Sequence, residues 1–148
     1  AMEELYRAGR VRAIGVSNFL PHHLENLLEV CTVPPMVDQI EFHPGYVQWE
    51  TVEFCRASQI LVEAWSPLGR QRLADDPLLA ELAGKYGVSQ AQICLRFALD
   101  CGVVPLPKSA DAGRMRQNLA LDFALEAEDL ERLRTMPQTG WSGLHPDK

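Results

Sequence analysis

The sequence predicts an α/β fold, a parallel sheet covered by helices, on three observations. Strand-like and helix-like segments alternate along the 148 residues. Each strand-like run is nearly all apolar, as in strands buried on both faces. Each run also ends on polar residues, and α/β barrels build their sites at the C-terminal ends of their strands.

The elements follow in order. The chain opens in a helix, and Val11 to Val16 forms the first strand, ending on Ser17 and Asn18. Pro21 then suits a first helical turn, where a missing N–H costs nothing. Leu24, Leu27, Leu28 and Cys31 give that helix its apolar stripe. Met36 to Phe42 is the second strand, stopped by His43-Pro44-Gly45, and a helix from about Gln48 to Ser58 leads to a third, Ile60 to Trp65. Asp76 can cap the next helix and Pro77 fits its first turn. Leu79, Leu82 and Tyr86 share one face, and Gly87 ends it. Ser89 and Gln92 have capping-box spacing for another helix. Val103 to Leu106 is the fourth strand, helices cover Ala112 to Leu119 and Glu126 to Met136, and Pro137 to Lys148 is loop. Periodicity leaves two architectures open, a doubly wound open sheet and a (β/α)8 barrel. A whole barrel takes about 250 residues, so four βα units would be half of one.

Composition narrows the function. The net charge is −6 with no basic tract, which excludes the clustered positive face a nucleic-acid binder needs. No apolar run approaches the ~20 residues of a membrane span, and the first residues do not have the form of a signal peptide. Cys31, Cys55, Cys94 and Cys101 form no CxxC pair and sit among apolar neighbours, so they are expected to be small buried hydrophobes in a reducing cytoplasm. The histidines at 22, 23, 43 and 145 lack zinc-ligand spacing, and no metal is expected. Glu41 with His43 fits a structural turn better than an acid–base pair, and Asp75-Asp76 fits a loop and helix cap.

Four segments resemble the aldo-keto reductases in order and spacing: GRVRAIGVSNF (9–19), VDQIEFHP (37–44), VEAWSPLG (62–69) and VPLPKSADAGRMRQN (104–118). Trp65 and the ending His145-Pro146-Asp147 are most similar to the bacterial 2,5-diketo-gluconate reductase group. The resemblance covers essentially the whole chain and implies a (β/α)8 TIM-type barrel with only its second half present, residues 1–148 forming one cofactor-binding unit. It implies NADP(H) as cofactor. Ser17, Asn18 and Gln39 would hydrogen-bond the nicotinamide carboxamide, and Trp65 would stack on the ring. Ser66, Leu68 and Gly69 would line the pyrophosphate, with Gly69 allowing close backbone approach. Lys108, Ser109, Arg114, Gln117 and Asn118 would hold the adenosine end, Lys108 and Arg114 meeting the 2′-phosphate. Two cations there favour NADPH over NADH. By themselves these residues also fit plainer roles: Ser17 and Asn18 as a helix start, Gln39 as a partner for a buried backbone group, and the 108–118 cluster as a solvated helix face.

The same resemblance places the family's tyrosine, lysine, aspartate and histidine on the first four strands of the barrel. Tyr6, Tyr46 and Tyr86 match none of those positions, so no catalytic residue is expected in this segment. Its expected partners are a small carbonyl substrate and either an N-terminal half or a second copy that covers the open sheet. The segment alone would be inactive, whether it is a fragment or a natural half-length product. The contrasting expectations are a non-catalytic NADP(H)-binding or assembly module and an unrelated phosphate-binding βα protein. Leu20 and Glu126 stand where the resemblance leads one to expect polar helix caps, and the connection from Gly69 to Asp76 is too short for a long loop over the cofactor.

Overall fold

The computed structural model describes residues 1–148. Its elements are α1 (Met2–Arg7), β1 (Gly15–Ser17), α2 (Pro21–Val30), β2 (Val37–Glu41), α3 (Trp49–Ala57), β3 (Leu61–Trp65), a 3-10 turn (Gly69–Gln71), α4 (Pro77–Tyr86), α5 (Gln90–Asp100), β4 (Val104–Pro105), α6 (Ala112–Leu119) and α7 (Ala127–Arg134). The four strands are parallel and lie side by side in chain order, β1-β2-β3-β4. That order decides between the two architectures. A doubly wound sheet reverses direction at a switch point, and this one does not. Right-handed crossovers in one direction put every helix on the same face, as in a barrel wall.

Alternation along the strands sorts side chains between the two faces. Asp38, Ile40, Phe42, Val62 and Ala64 are buried toward the helices. There the four apolar ones join Leu24, Val52, Leu79, Leu82, Ile93, Phe97 and Leu133 in one core. Phe42 and Phe97 stack with ring centres 5.7 Å apart. The opposite face carries a row in register, Ser17, Gln39, Glu63 and Val104. No layer covers that face, and Leu61 is 47% and Leu106 41% exposed.

The local punctuation forms as the sequence requires. Asp76 accepts from the backbone N–H groups of Leu78 and Leu79, and Gly87 closes α4 in the left-handed region. Ser89 and Gln92 cap each other's backbone at the start of α5. Leu20 offers no side-chain cap to α2, but the Nδ1 of His23 accepts from the Leu20 N–H at 3.1 Å. At α7 the uncapped Glu126 is compensated by Tyr86, whose hydroxyl accepts from the Glu126 N–H.

Several bounds differ from expectation. The first strand is Gly15–Ser17, not Val11 to Val16, because its neighbour is preceded by Pro34-Pro35, which has no N–H to pair with Val11 to Ala13. Pro105 and Pro107 likewise shorten the fourth strand, although the Leu106 N–H still reaches the Ala64 carbonyl. The last helix stops at Arg134 rather than Met136, since Pro137 drives the residue before it out of helical geometry. Cys55, Cys94 and Cys101 are buried, and burial pushes each thiol up to about 12. Cys31, expected to be buried too, closes the exposed end of α2 and is only half-buried. All four thiols are free. No helix is long and apolar enough to cross a membrane.

Candidate cofactor site

One cleft opens at the C-terminal rim of the sheet and a second lies along its strands. The larger encloses about 460 Å³ between the loops that follow β3 and β4. Of the residues singled out in the sequence it gathers Ser66, Leu68, Lys108, Ser109, Arg114, Gln117 and Asn118, and Arg70, Gln71, Ala91 and Leu106 are among the others in its wall. The second, about 400 Å³, runs beside β1 and is lined by Ser17, Gln39 and Glu63. Asn18 and Trp65, also singled out in the sequence, line neither cleft but meet each other, the Trp65 indole N–H donating to Asn18 Oδ1 at 2.7 Å.

After the loop carrying Lys108 and Ser109, α6 begins at Ala112, and the first N–H groups of a helix have no partner within it. Asp111 caps it by accepting from the Arg114 N–H at 2.7 Å, and Ser109 Oγ accepts from the Asp111 N–H at 3.1 Å. The Arg114 guanidinium is exposed and lies 4.0 Å from the Asp111 carboxylate. An exposed pair at that distance is weak, so Arg114 is free to meet a stronger anion.

The loop after β3 is held in unusual backbone geometry. Ser66, Arg70 and Gln71 all take positive φ, as does Asn18 across the rim. Such conformations cost non-glycine residues of order 1 kcal/mol or more and cluster at functional sites. Gly69 is buried, and a Cβ there would lie 2.7 Å from Leu73 Cγ. The close approach it permits is therefore to Leu73, and Gly69 itself does not line the cleft. Arg70, which the sequence reading did not single out, donates to Ser66 Oγ and places its guanidinium 5.2 Å from the Trp65 ring centre. One face of Trp65 is thus covered by a cation. Ser17 donates its hydroxyl to the Gln39 carbonyl at 2.9 Å, the plainer backbone role open to it, while the Gln39 side chain bonds to Glu63. Glu63 also went unnoticed in the sequence. Its only signal was an acidic residue at an inward position of an otherwise apolar strand.

Glu41 and His43 are buried, in line with a structural turn. Glu41 accepts from the Ser142 N–H at 3.0 Å and from its hydroxyl at 2.6 Å. Burial works to raise the Glu41 carboxyl, but His43, whose Nε2 lies 3.5 Å away, and the Ser142 hydrogen bonds outweigh it and hold the group below its ordinary range. The C-terminal loop is thereby fixed across the turn after β2, with Trp141 stacked on Tyr46 at 5.8 Å. Farther on, Asp147 meets His22 at 3.1 Å and His23 at 2.9 Å, a grouping of metal-ligand type that spacing alone did not reveal. The Nδ1 of His23 already accepts a backbone N–H, so its Nε2 carries the proton. That makes the trio a clamp on the tail. No tyrosine lines either cleft.

A model of the Aldo/keto reductase family matches residues 1–136. The chain is 43% identical to glyoxal reductase of Bacillus subtilis over 149 residues, covering 100% of this chain and 54% of that protein. Among solved structures, an aldo-keto reductase from a Medee basin deep-sea metagenome library superposes with a TM-score of 0.93 at 34% identity, over 100% of this chain and 56% of the other. The aldo-keto reductase AKR2E5 of the silkworm Bombyx mori, complexed with NADPH, superposes at 0.89 with 32% identity, over 98% and 48%. The chain thus spans about half the length of the relatives it matches.

Proposed function

The chain belongs to the aldo/keto reductase family, and on that footing we propose that it supplies the NADP(H)-gripping half of a carbonyl reductase. Its fold is the α/β type of that family, matching about half of a (β/α)8 barrel. The observation that carries the proposal is the 460 Å³ cleft, where Lys108 and Arg114 converge beside the exposed start of α6.

These residues fit a dinucleotide phosphate. A helix start with free N–H groups and two cations favours a multiply charged anion. In this reading Lys108 and Arg114 bind the 2′-phosphate, with Ser109, Gln117 and Asn118 around the adenosine. Ser66 and Leu68 flank the pyrophosphate, while Gly69 shapes their loop by packing under Leu73. Trp65 offers its ring to the nicotinamide, and Ser17, Asn18 and Gln39 surround the carboxamide. When bound, NADPH supplies the hydride for reduction of an aldehyde or ketone. This chain's residues bind and orient it, and the acid that protonates the product comes from elsewhere in the protein. The free thiols agree with a reducing, cytoplasmic setting. The absence of a tyrosine from both clefts favours, as a second reading, an NADP(H)-binding or assembly module without catalysis.

The test is Arg114→Ala in the intact native polypeptide, with NADPH and NADH titrated against intrinsic fluorescence. Loss of a charge-assisted contact should weaken NADPH binding roughly tenfold to a hundredfold and NADH binding by less than about threefold. Equal losses for both would remove the 2′-phosphate assignment. Reduction of small dicarbonyls by the same polypeptide separates the reductase from the module.

A further inference from the structure

Two side-chain amides, Asn18 just after β1 and Gln39 in the middle of β2, are each held at one end by a neighbour. Asn18 Oδ1 accepts from the Trp65 indole Nε1–H at 2.7 Å, which leaves the Asn18 NH₂ as the free end. Gln39 is held the opposite way round. Its Nε2 donates to Glu63 Oε2 at 3.0 Å, which leaves Oε1 free. An indole nitrogen only donates and a carboxylate only accepts, so neither amide can turn over without losing its partner. Turning Gln39 would also set its carbonyl oxygen against the Glu63 carboxylate. Glu63 is able to do this because it is the registered neighbour of Gln39 across β2 and β3, on the same face of the sheet.

We propose that Glu63 is a positioning residue. It locks Gln39 with the carbonyl oxygen outward, so that Asn18 N–H and Gln39 C=O form a matched donor and acceptor for a primary carboxamide. The inference rests on the cofactor reading above and adds a direction to it. A primary carboxamide presents one acceptor and one donor end, and a polarised pair receives it in one orientation only. The Ser17 hydroxyl donates to the Gln39 backbone carbonyl, which leaves its oxygen as an acceptor only, and this holds whichever way the Gln39 side chain is turned.

The experiment uses the intact native polypeptide, its Glu63→Gln variant, and Glu63→Leu as a second variant without hydrogen-bonding capacity. The probes are NADPH, NADH and the NADPH analogue in which an acetyl group replaces the carboxamide, keeping the carbonyl oxygen and losing the N–H donor. Dissociation constants are read by fluorescence titration, and thermal midpoints report folding. In the wild-type protein the acetyl analogue leaves Gln39 Oε1 unpaired and should bind roughly tenfold more weakly than NADPH. In both variants Gln39 is free to turn its NH₂ outward, so the acetyl oxygen accepts from both amides. The preference should fall to about twofold, with the NADPH-to-NADH ratio unchanged because it is set at Lys108 and Arg114. Undiminished preference in both variants, or equal weakening of all three ligands, overturns the role of Glu63 and leaves the cofactor reading standing. A wild-type protein that does not bind NADPH overturns the cofactor reading and this inference with it.

Discussion

Replacing Asp38 by Asn should stabilise the protein at neutral pH and leave it unchanged in acid. Asp38 lies in β2, faces the helices and is fully buried. Its contacts are few: the Phe19 N–H at 3.4 Å from Oδ1 and the Cys55 thiol at 4.0 Å from Oδ2. Neither is a cation. Burial therefore pushes its carboxyl up from 3.8 to about 6, only partly opposed by the Phe19 hydrogen bond. A folded-state value above the unfolded one means that the folded state holds the proton more tightly. No stability is lost below about pH 4. The loss builds as pH rises through the interval from 3.8 to about 6, and above that it is complete. A pKa difference of this size corresponds to roughly 3 kcal/mol. Asn keeps the acceptor for Phe19, never ionises and has nearly the same volume, so Asp38→Asn should recover about 1–3 kcal/mol at pH 7.5. Urea unfolding of the intact polypeptide and the variant, compared from pH 4.5 to 8, measures it. A variant whose stability difference is the same at every pH, or which is weaker at pH 7.5 than at pH 4.5, would refute the account of Asp38 as a buried, uncompensated carboxylate.

Two other outcomes follow from packing and titration. Gly69→Ala should destabilise by about 1–3 kcal/mol in thermal unfolding, because Gly69 has φ +59° and a Cβ would meet Leu73 at 2.7 Å. The Ser142–Glu41 contact works through a carboxyl held below its ordinary value of 4.5, so its contribution is present above that pH and lost as pH falls through the folded value. Hydrogen exchange at 140–144 should accordingly be slow at neutral pH. Corrected for the intrinsic rate, protection should fall in acid and be lost at every pH in Glu41→Leu, which removes the acceptor of both Ser142 bonds, whereas retained protection in that variant would show that Glu41 does not hold the loop.

What the sequence determined by itself was local. Asp76-Pro77 and Gly87 set the two ends of α4, Ser89 with Gln92 started α5, and Ala112 to Leu119 formed α6. Each depends on bonds within a few residues, so the side chains present decide it. That Lys108, Ser109, Arg114, Gln117 and Asn118 line one cleft has a related reason, since they lie on one loop and the short helix after it. The architecture was legible in the resemblance of four segments to a known family, but not in the periodicity. Alternating strands and helices serve an open sheet and a barrel equally well, and only the strand order β1-β2-β3-β4 separates them. The same holds for the side-chain contacts between distant segments. Trp65 reaches Asn18 across 47 positions, Gln39 reaches Glu63 across 24, and Ser142 reaches Glu41 across 101. Which residues become neighbours at such separations is set by strand register and by the path of the tail. Both come from burying one face of the sheet under all the helices at once.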